Sequence, residues 1–219
     1  IEGTHHDEIV YCKGDKIRTK DQFVSNKEVV IDGHFEIIHP CVMRSLLVDG
    51  DLMVKNSLKV FRWIHVEGRV EISSINGDTD LGINLYAKEI RINSSCTFKR
   101  IFADKIEVGK VLNEESFTRT MINQIKGTLR TKGNLKINVD ERNLVIEGDI
   151  ISDKDIIIKG NVWVKGNVFS HGGVVFLKSV IIGEEKKIKS VVGKRRVILG
   201  NGVKVYGYIH TDGRGIVKL

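Results

Sequence analysis

Proline is almost missing from this chain: Pro40 stands alone among 219 residues, beside 22 glycines. Turns must therefore be built on glycine. Recurrent Val and Ile with few aromatics read as many short strands joined by tight turns. No run of about 18 apolar residues occurs, which excludes a transmembrane helix inside the chain. A basic-then-apolar N-terminal segment is also lacking, so no signal peptide is visible. Because the chain begins at Ile1 rather than Met, a piece of a larger protein is expected. Cysteine is sparse, with Cys12, Cys41 and Cys96 in no CxxC pair. An odd, scattered set predicts reduced thiols and a cytoplasmic setting, any membrane association coming from a segment outside this chain.

What is present is a repeat. VVIDGHFEII begins at Val29, LLVDGDLMV at Leu46, IHVEGRVEI at Ile64, LVIEGDII at Leu144 and IIIKGNVWV at Ile156. Each alternates apolar residues, reaches a glycine and alternates again, which sends one set of side chains inward and the other outward. The glycines Gly33, Gly50 and Gly68 are 17 and 18 residues apart. NLYAKEIRI from Asn84 and IFADKIEV from Ile101 continue the rhythm without glycine. Such a period suits a three-sided coil with sides of about five residues at ~3.3 Å each. One such coil loses roughly 17–34 kcal/mol of backbone entropy. Five inward Val, Ile or Leu side chains return only about 1.5–3 kcal/mol each, so coils must stack. The prediction is an all-β, single-stranded β-solenoid; an antiparallel β-sandwich is the alternative. Spacings of 12 and 6 among Gly148, Gly160, Gly166 and Gly172 are read as sides of one coil. The Gly-Asp and Gly-Asn pairs at Gly50, Gly133, Gly148, Gly160 and Gly166 are read as corners requiring positive φ.

The rhythm predicts an N-terminal cap or linker over 1–28, a first stack over 29–110 and a second stack over 129–219. Between them, 111–128 places Phe117, Met121 and Ile125 at i, i+4 and i+8, a short amphipathic helix or loop. Charge divides the same way. Residues 1–110 carry 16 Lys/Arg against 17 Asp/Glu, and 111–219 carry 19 against 11, so the basic character lies in the second half.

IEGDI (Ile146–Ile150), IKGNV (Ile158–Val162) and VKGNV (Val164–Val168) resemble the bactofilins, the polymer-forming cytoskeletal family of bacteria. The likeness is best over about 129–219 and looser over 29–110; the interruption at 111–128 lies outside the family pattern. The resemblance implies a right-handed β-helix that assembles end to end without nucleotide, near the cytoplasmic membrane and cell-envelope enzymes.

No catalytic constellation is evident. His171 in SHGGVV and His210 in IHTDG are the candidates for a general base, each beside a glycine turn. LGNGVK from Leu199 and VYGYIH from Val205 resemble the hexapeptides of solenoid acyltransferases, which makes an acyl- or sugar-modifying enzyme the alternative function. Asp78 and Asp80 lack EF-hand spacing and read as a hydrophilic turn. His5, His6, Asp7 and Glu8 have no second cluster to complete a metal site, and Cys41 and Cys96 read as core residues. No cofactor or metal is expected.

The basic stretch Lys186, Lys187, Lys189, Lys194, Arg195 and Arg196 is the candidate site for an anionic partner, an anionic membrane surface included, and otherwise a charged turn. Nucleic acid is disfavoured because no aromatics interleave with these cations, and GKRRVILG from Gly193 lacks Walker spacing. The expected function is a non-enzymatic scaffold acting by self-association or by binding a protein partner.

Overall fold

A computed structural model describes residues 4–5, 8–76, 78–112, 114–118 and 122–219. It shows a β-solenoid of about 11 turns, as the repeat predicts. The long pairings are parallel, the two longest each with one register shift, between Lys13 and Lys16 and between Val139 and Leu144; among the described residues antiparallel pairing is seen for Thr4–His5 on Ile9–Arg18 and for a single Glu184–Lys187 bridge. A β-sandwich needs antiparallel strands throughout, so that alternative is excluded.

The chain forms two compact units, Ile1–Ala103 and Asp104–Leu219. In the first, Val29, Leu46, Ile64, Leu85 and Ile101 lie one above the next, at steps of 17, 18, 21 and 16 residues. All five are buried in the core. The longest step corrects the turn expected at Asp78 and Asp80: Thr79–Asp80 is a short strand paired with Cys96–Val108, and Asp80 accepts the Gly82 N–H. Residues 9–24 add a coil beneath these, because Ile9–Arg18 pairs with Glu28–Ile37 and Phe23–Val24 with Cys41–Met43. In the second unit Leu129, Ile150, Val168 and Val191 form one inward column, and Leu135, Ile156, Val174 and Val197 another. From 111–128 the described helix is α1, only Glu114–Thr118; Ile125 lies in the strand Ile122–Ile125, and Met121 falls outside the described residues.

The corners revise the expectation about glycine. Of the five Gly-Asp and Gly-Asn corners, only Gly160 has positive φ, at 98°. Gly50, Gly148 and Gly166 are small because of what lies beneath them. A methyl at Gly50 would come 2.8 Å from the Gly33 carbonyl oxygen, and one at Gly68 2.8 Å from that of Gly50. Gly166 rests on Gly148 in the same way, and Gly160 on the Val139 carbonyl. Gly133, in the first coil of its unit, has nothing nearer than 3.9 Å. The spacings of 12 and 6 do mark sides of one coil: Gly166 stacks on Gly148, Gly160 on Val139 and Gly172 on the Lys154–Asp155 backbone.

Two side-chain ladders fasten the corners. Asp51 Oδ1 accepts the Arg69 N–H, Asp149 Oδ1 the Asn167 N–H, and Asn167 Oδ1 the Ser190 N–H, each bond linking one coil to the next. At another corner Thr131, Ser152 and Ser170 stack in register, and each hydroxyl accepts the N–H two residues on. This is the ST-turn geometry, and it closes the bend without glycine at the hydroxyl position.

Gly160→Ala is expected to destabilise the fold by more than the ~1–2 kcal/mol that a left-handed backbone costs a residue with Cβ, since it also meets a carbonyl. Gly133→Ala, facing open space, should change stability by less than ~1 kcal/mol. Urea unfolding midpoints of the two variants test the difference.

Candidate functional site

The basic stretch does not converge. Lys186 and Lys187 sit in the turn before the strand Lys189–Gly193, and Lys187 is held by Glu184 at 2.6 Å. Lys194, Arg195 and Arg196 follow the strand, roughly 16 Å away at ~3.3 Å per residue. There Arg195 and Arg196 approach Asp155 at 3.5 and 3.9 Å, and Arg196 lies in register with Arg214. The stretch is therefore two surfaces, the second the more densely cationic.

The histidines differ. His171 is exposed within the ST-turn that Ser170 closes, its ring edge-on to Phe169 at 4.9 Å. His210 lies in a line along the strand Val203–Val217, where its Nδ1 is 3.0 Å from the Tyr208 hydroxyl and its Nε2 2.8 Å from Asp212 Oδ1. A carboxylate orienting an imidazole that faces a hydroxyl is the arrangement general-base chemistry requires. Cys12, Cys41 and Cys96 are free and buried, and burial pushes the Cys41 and Cys96 thiols up to about 12, which removes them as nucleophiles. His6 and Asp7, from the N-terminal cluster, lie outside the described residues. Among the described residues no group of three or more His, Cys, Asp or Glu is placed to hold a metal ion.

Sequence reasoning does not find two charged constellations that the coils assemble. In the first unit Glu36 stands on an outward position yet is only 4% exposed, because Lys55, Lys16 and Arg18 close over it at 2.5, 3.1 and 2.5 Å. Beside it is a groove of about 250 Å³ lined by Lys16, His34, Phe35, Glu36, Asp51 and Met53. Hydrogen bonds from Lys55 and Lys16, then from Arg18, lower the Glu36 pKa to about 2. A carboxylate so pinned stays ionised and cannot serve as a general acid near neutrality. Arg18 and Lys55 lie 18 and 19 residues from Glu36, so the repeat period is the signal that links them.

In the second unit Lys204 Nζ is 3.0 Å from Glu114 and 3.8 Å from Glu107, and the Tyr206 hydroxyl donates to Glu114. Burial, then the bond to Glu114, raises the Tyr206 pKa and keeps it protonated. This cluster ties α1 to the solenoid wall, with Phe117 buried against Ile181, Tyr206 and Trp163.

Because the folded-state pKa of Glu36 is depressed, its stabilisation is complete above the ordinary glutamate value near 4.5 and is lost as pH falls toward about 2. Wild type should therefore lose more stability between pH 5 and pH 2.5 than Glu36→Gln, whose neutral-pH stability is already reduced. Thermal unfolding across that range measures the gap between them.

Compared with protein-family models, curated proteins and solved structures, the chain matches none.

Proposed function

We propose that the protein is a non-enzymatic scaffold of bactofilin type that assembles through the end of a solenoid stack. The observation that carries this reading is the first coil of the second unit. Among the described residues Ile122–Ile125 and Leu129–Thr131 pair on one side only, as does the first half of Leu135–Ile146. Leu129, Leu135 and Ile137 point inward yet remain half-buried, whereas the residues registered above them, Ile150, Ile156 and Ile158, are fully covered. Gly127 has open space where Gly148 and Gly166 meet backbone. An unpaired edge of this kind is a template for another strand, and covering the three half-buried side chains adds roughly 1 kcal/mol each to the ladder bonds gained.

Arg130, Lys132 and Lys136 are exposed on that coil. Their repulsion across a joint between copies is screened by salt, so salt favours assembly. The more cationic corner, Lys194 to Arg196, is assigned to an anionic partner such as a lipid surface. The buried thiols suit a reducing compartment, and the cytoplasm is the proposed setting.

Sedimentation and negative-stain microscopy from 50 to 500 mM salt should reveal end-to-end oligomers that lengthen with salt. Ile137→Asp should leave the protein folded and monomeric. A wild-type chain monomeric at every salt concentration would sink the proposal.

The bracketed imidazole of His210 favours one second reading, an acyl- or sugar-modifying enzyme with His210 as base. If the scaffold reading is right, the chain hydrolyses p-nitrophenyl acetate no faster than its His210→Ala variant. A rate that depends on His210 favours the enzyme.

A further inference from the structure

Three residues before a corner glycine, the chain places an outward side chain, and these stack into a column. In the second unit Val145 precedes Gly148 and Trp163 precedes Gly166, and the column continues to Ile181. This column is covered. α1 lays Phe117 edge-on to Trp163, with ring centroids 6.1 Å apart, and packs it against Ile181 and Tyr206. At its rim Glu114 meets the Lys204 ammonium at 3.0 Å. The device has two parts, an aromatic anchor on the column and an opposite charge at the edge.

The first unit carries the same column, uncovered. Tyr11, Val30, Leu47, His65, Tyr86 and Phe102 lie in register on six successive coils. Tyr11, Val30, Leu47 and His65 each stand three residues before a glycine, at Gly14, Gly33, Gly50 and Gly68. Tyr86 is 43% exposed and Tyr11 37%, and the other four are partly exposed. An apolar stripe running the length of six coils is not what a solvated sheet face presents.

Over its middle coils the rim is acidic. The residue just before the corner glycine is Lys13 on the first coil and then Asp32, Asp49 and Glu67 on the next three, against Glu147 and Lys165 in the second unit. Asp32 meets Tyr11 and Lys13, and Glu67 meets His65, while Asp49 is exposed and makes no ion pair among the described residues.

We propose that this column docks a short amphipathic helix of a partner protein, with an aromatic or leucine anchor on the stripe and lysines or arginines along the acidic rim. Six coils at ~4.8 Å span roughly 24 Å, which a helix of about 16 residues covers at ~1.5 Å per residue. The anchor-plus-charge pattern is the one α1 uses, with the charges exchanged. The proposal stands apart from end-to-end assembly, which uses a different unit and a strand edge.

The test uses two fluorescein-labelled 18-residue synthetic helices with Leu and Phe at i, i+4 spacing, one flanked by lysines and its twin by glutamates. Anisotropy with the full chain should give tens-of-micromolar binding for the lysine peptide and at least tenfold weaker binding for the glutamate twin. Leu47→Asp should weaken the lysine peptide at least tenfold. Asp49→Lys with Glu67→Lys should weaken it at least fivefold and strengthen the twin. Should Leu47→Asp impair folding, Tyr86→Ser serves instead, since that ring is already 43% exposed. Equal binding of both peptides, no binding of either, or binding that survives these substitutions overturns the proposal. So does a wild-type dimer that Leu47→Asp dissociates, because the stripe would then belong to a second copy of this chain.

Discussion

Successive coils approach as closely as hydrogen-bonded strands permit, and at the corners that spacing leaves no volume for a side chain. The columns Gly33–Gly50–Gly68 and Gly148–Gly166 follow from it, each glycine lying on the carbonyl of the one below. Side chains beside the corners exploit the same proximity. An Asp or Asn oxygen reaches the backbone N–H of the next coil because that N–H is one ladder spacing away. Thr131, Ser152 and Ser170 meet the constraint differently, bending the chain through their own hydroxyls. Corner glycines, Asx ladder and hydroxyl ladder are three responses to one distance.

Register at the corners fixes register along the sides. The inward columns are then held to apolar side chains, chiefly Val, Ile and Leu with Phe, Met, Cys and Ala among them, while the outward columns are free to vary, so any individuality of the protein lies outside. One outward position holds a carboxylate under three cations at Glu36. Another carries the apolar column that α1 seals in the second unit and that Tyr86 leaves open in the first. Identical backbone geometry thus presents different surfaces, because side chains from coils 16–23 residues apart in sequence become neighbours at one ladder spacing.

A stack has one further place where ladder bonds go unmade, its end. The half-buried Leu129, Leu135 and Ile137 illustrate this, since no coil among the described residues lies beneath them to give the burial of Ile150, Ile156 and Ile158. The scaffold proposal rests on that open edge, whereas an enzyme's chemistry would rest on the line Tyr208, His210 and Asp212, of which only Asp212 is exposed.

The sequence alone determined the solenoid, its period and its inward columns, because alternation and the returning glycine are local patterns that each coil must repeat to stack at all. Even Asn84 and Ile101, without glycine, could be placed by rhythm. It misjudged why glycine recurs, since crowding from the coil below belongs to no single segment. It read 186–196 as one basic site, where an intervening strand separates the cations. Only the tertiary structure decided that Arg18, Glu36 and Lys55 meet, that Phe117 seals Trp163, and that Tyr11 through Phe102 form one stripe. Each depends on which outward residues share a column, and the extra turn residues in the 21- and 23-residue steps hide that alignment from a fixed period while leaving every local pattern intact.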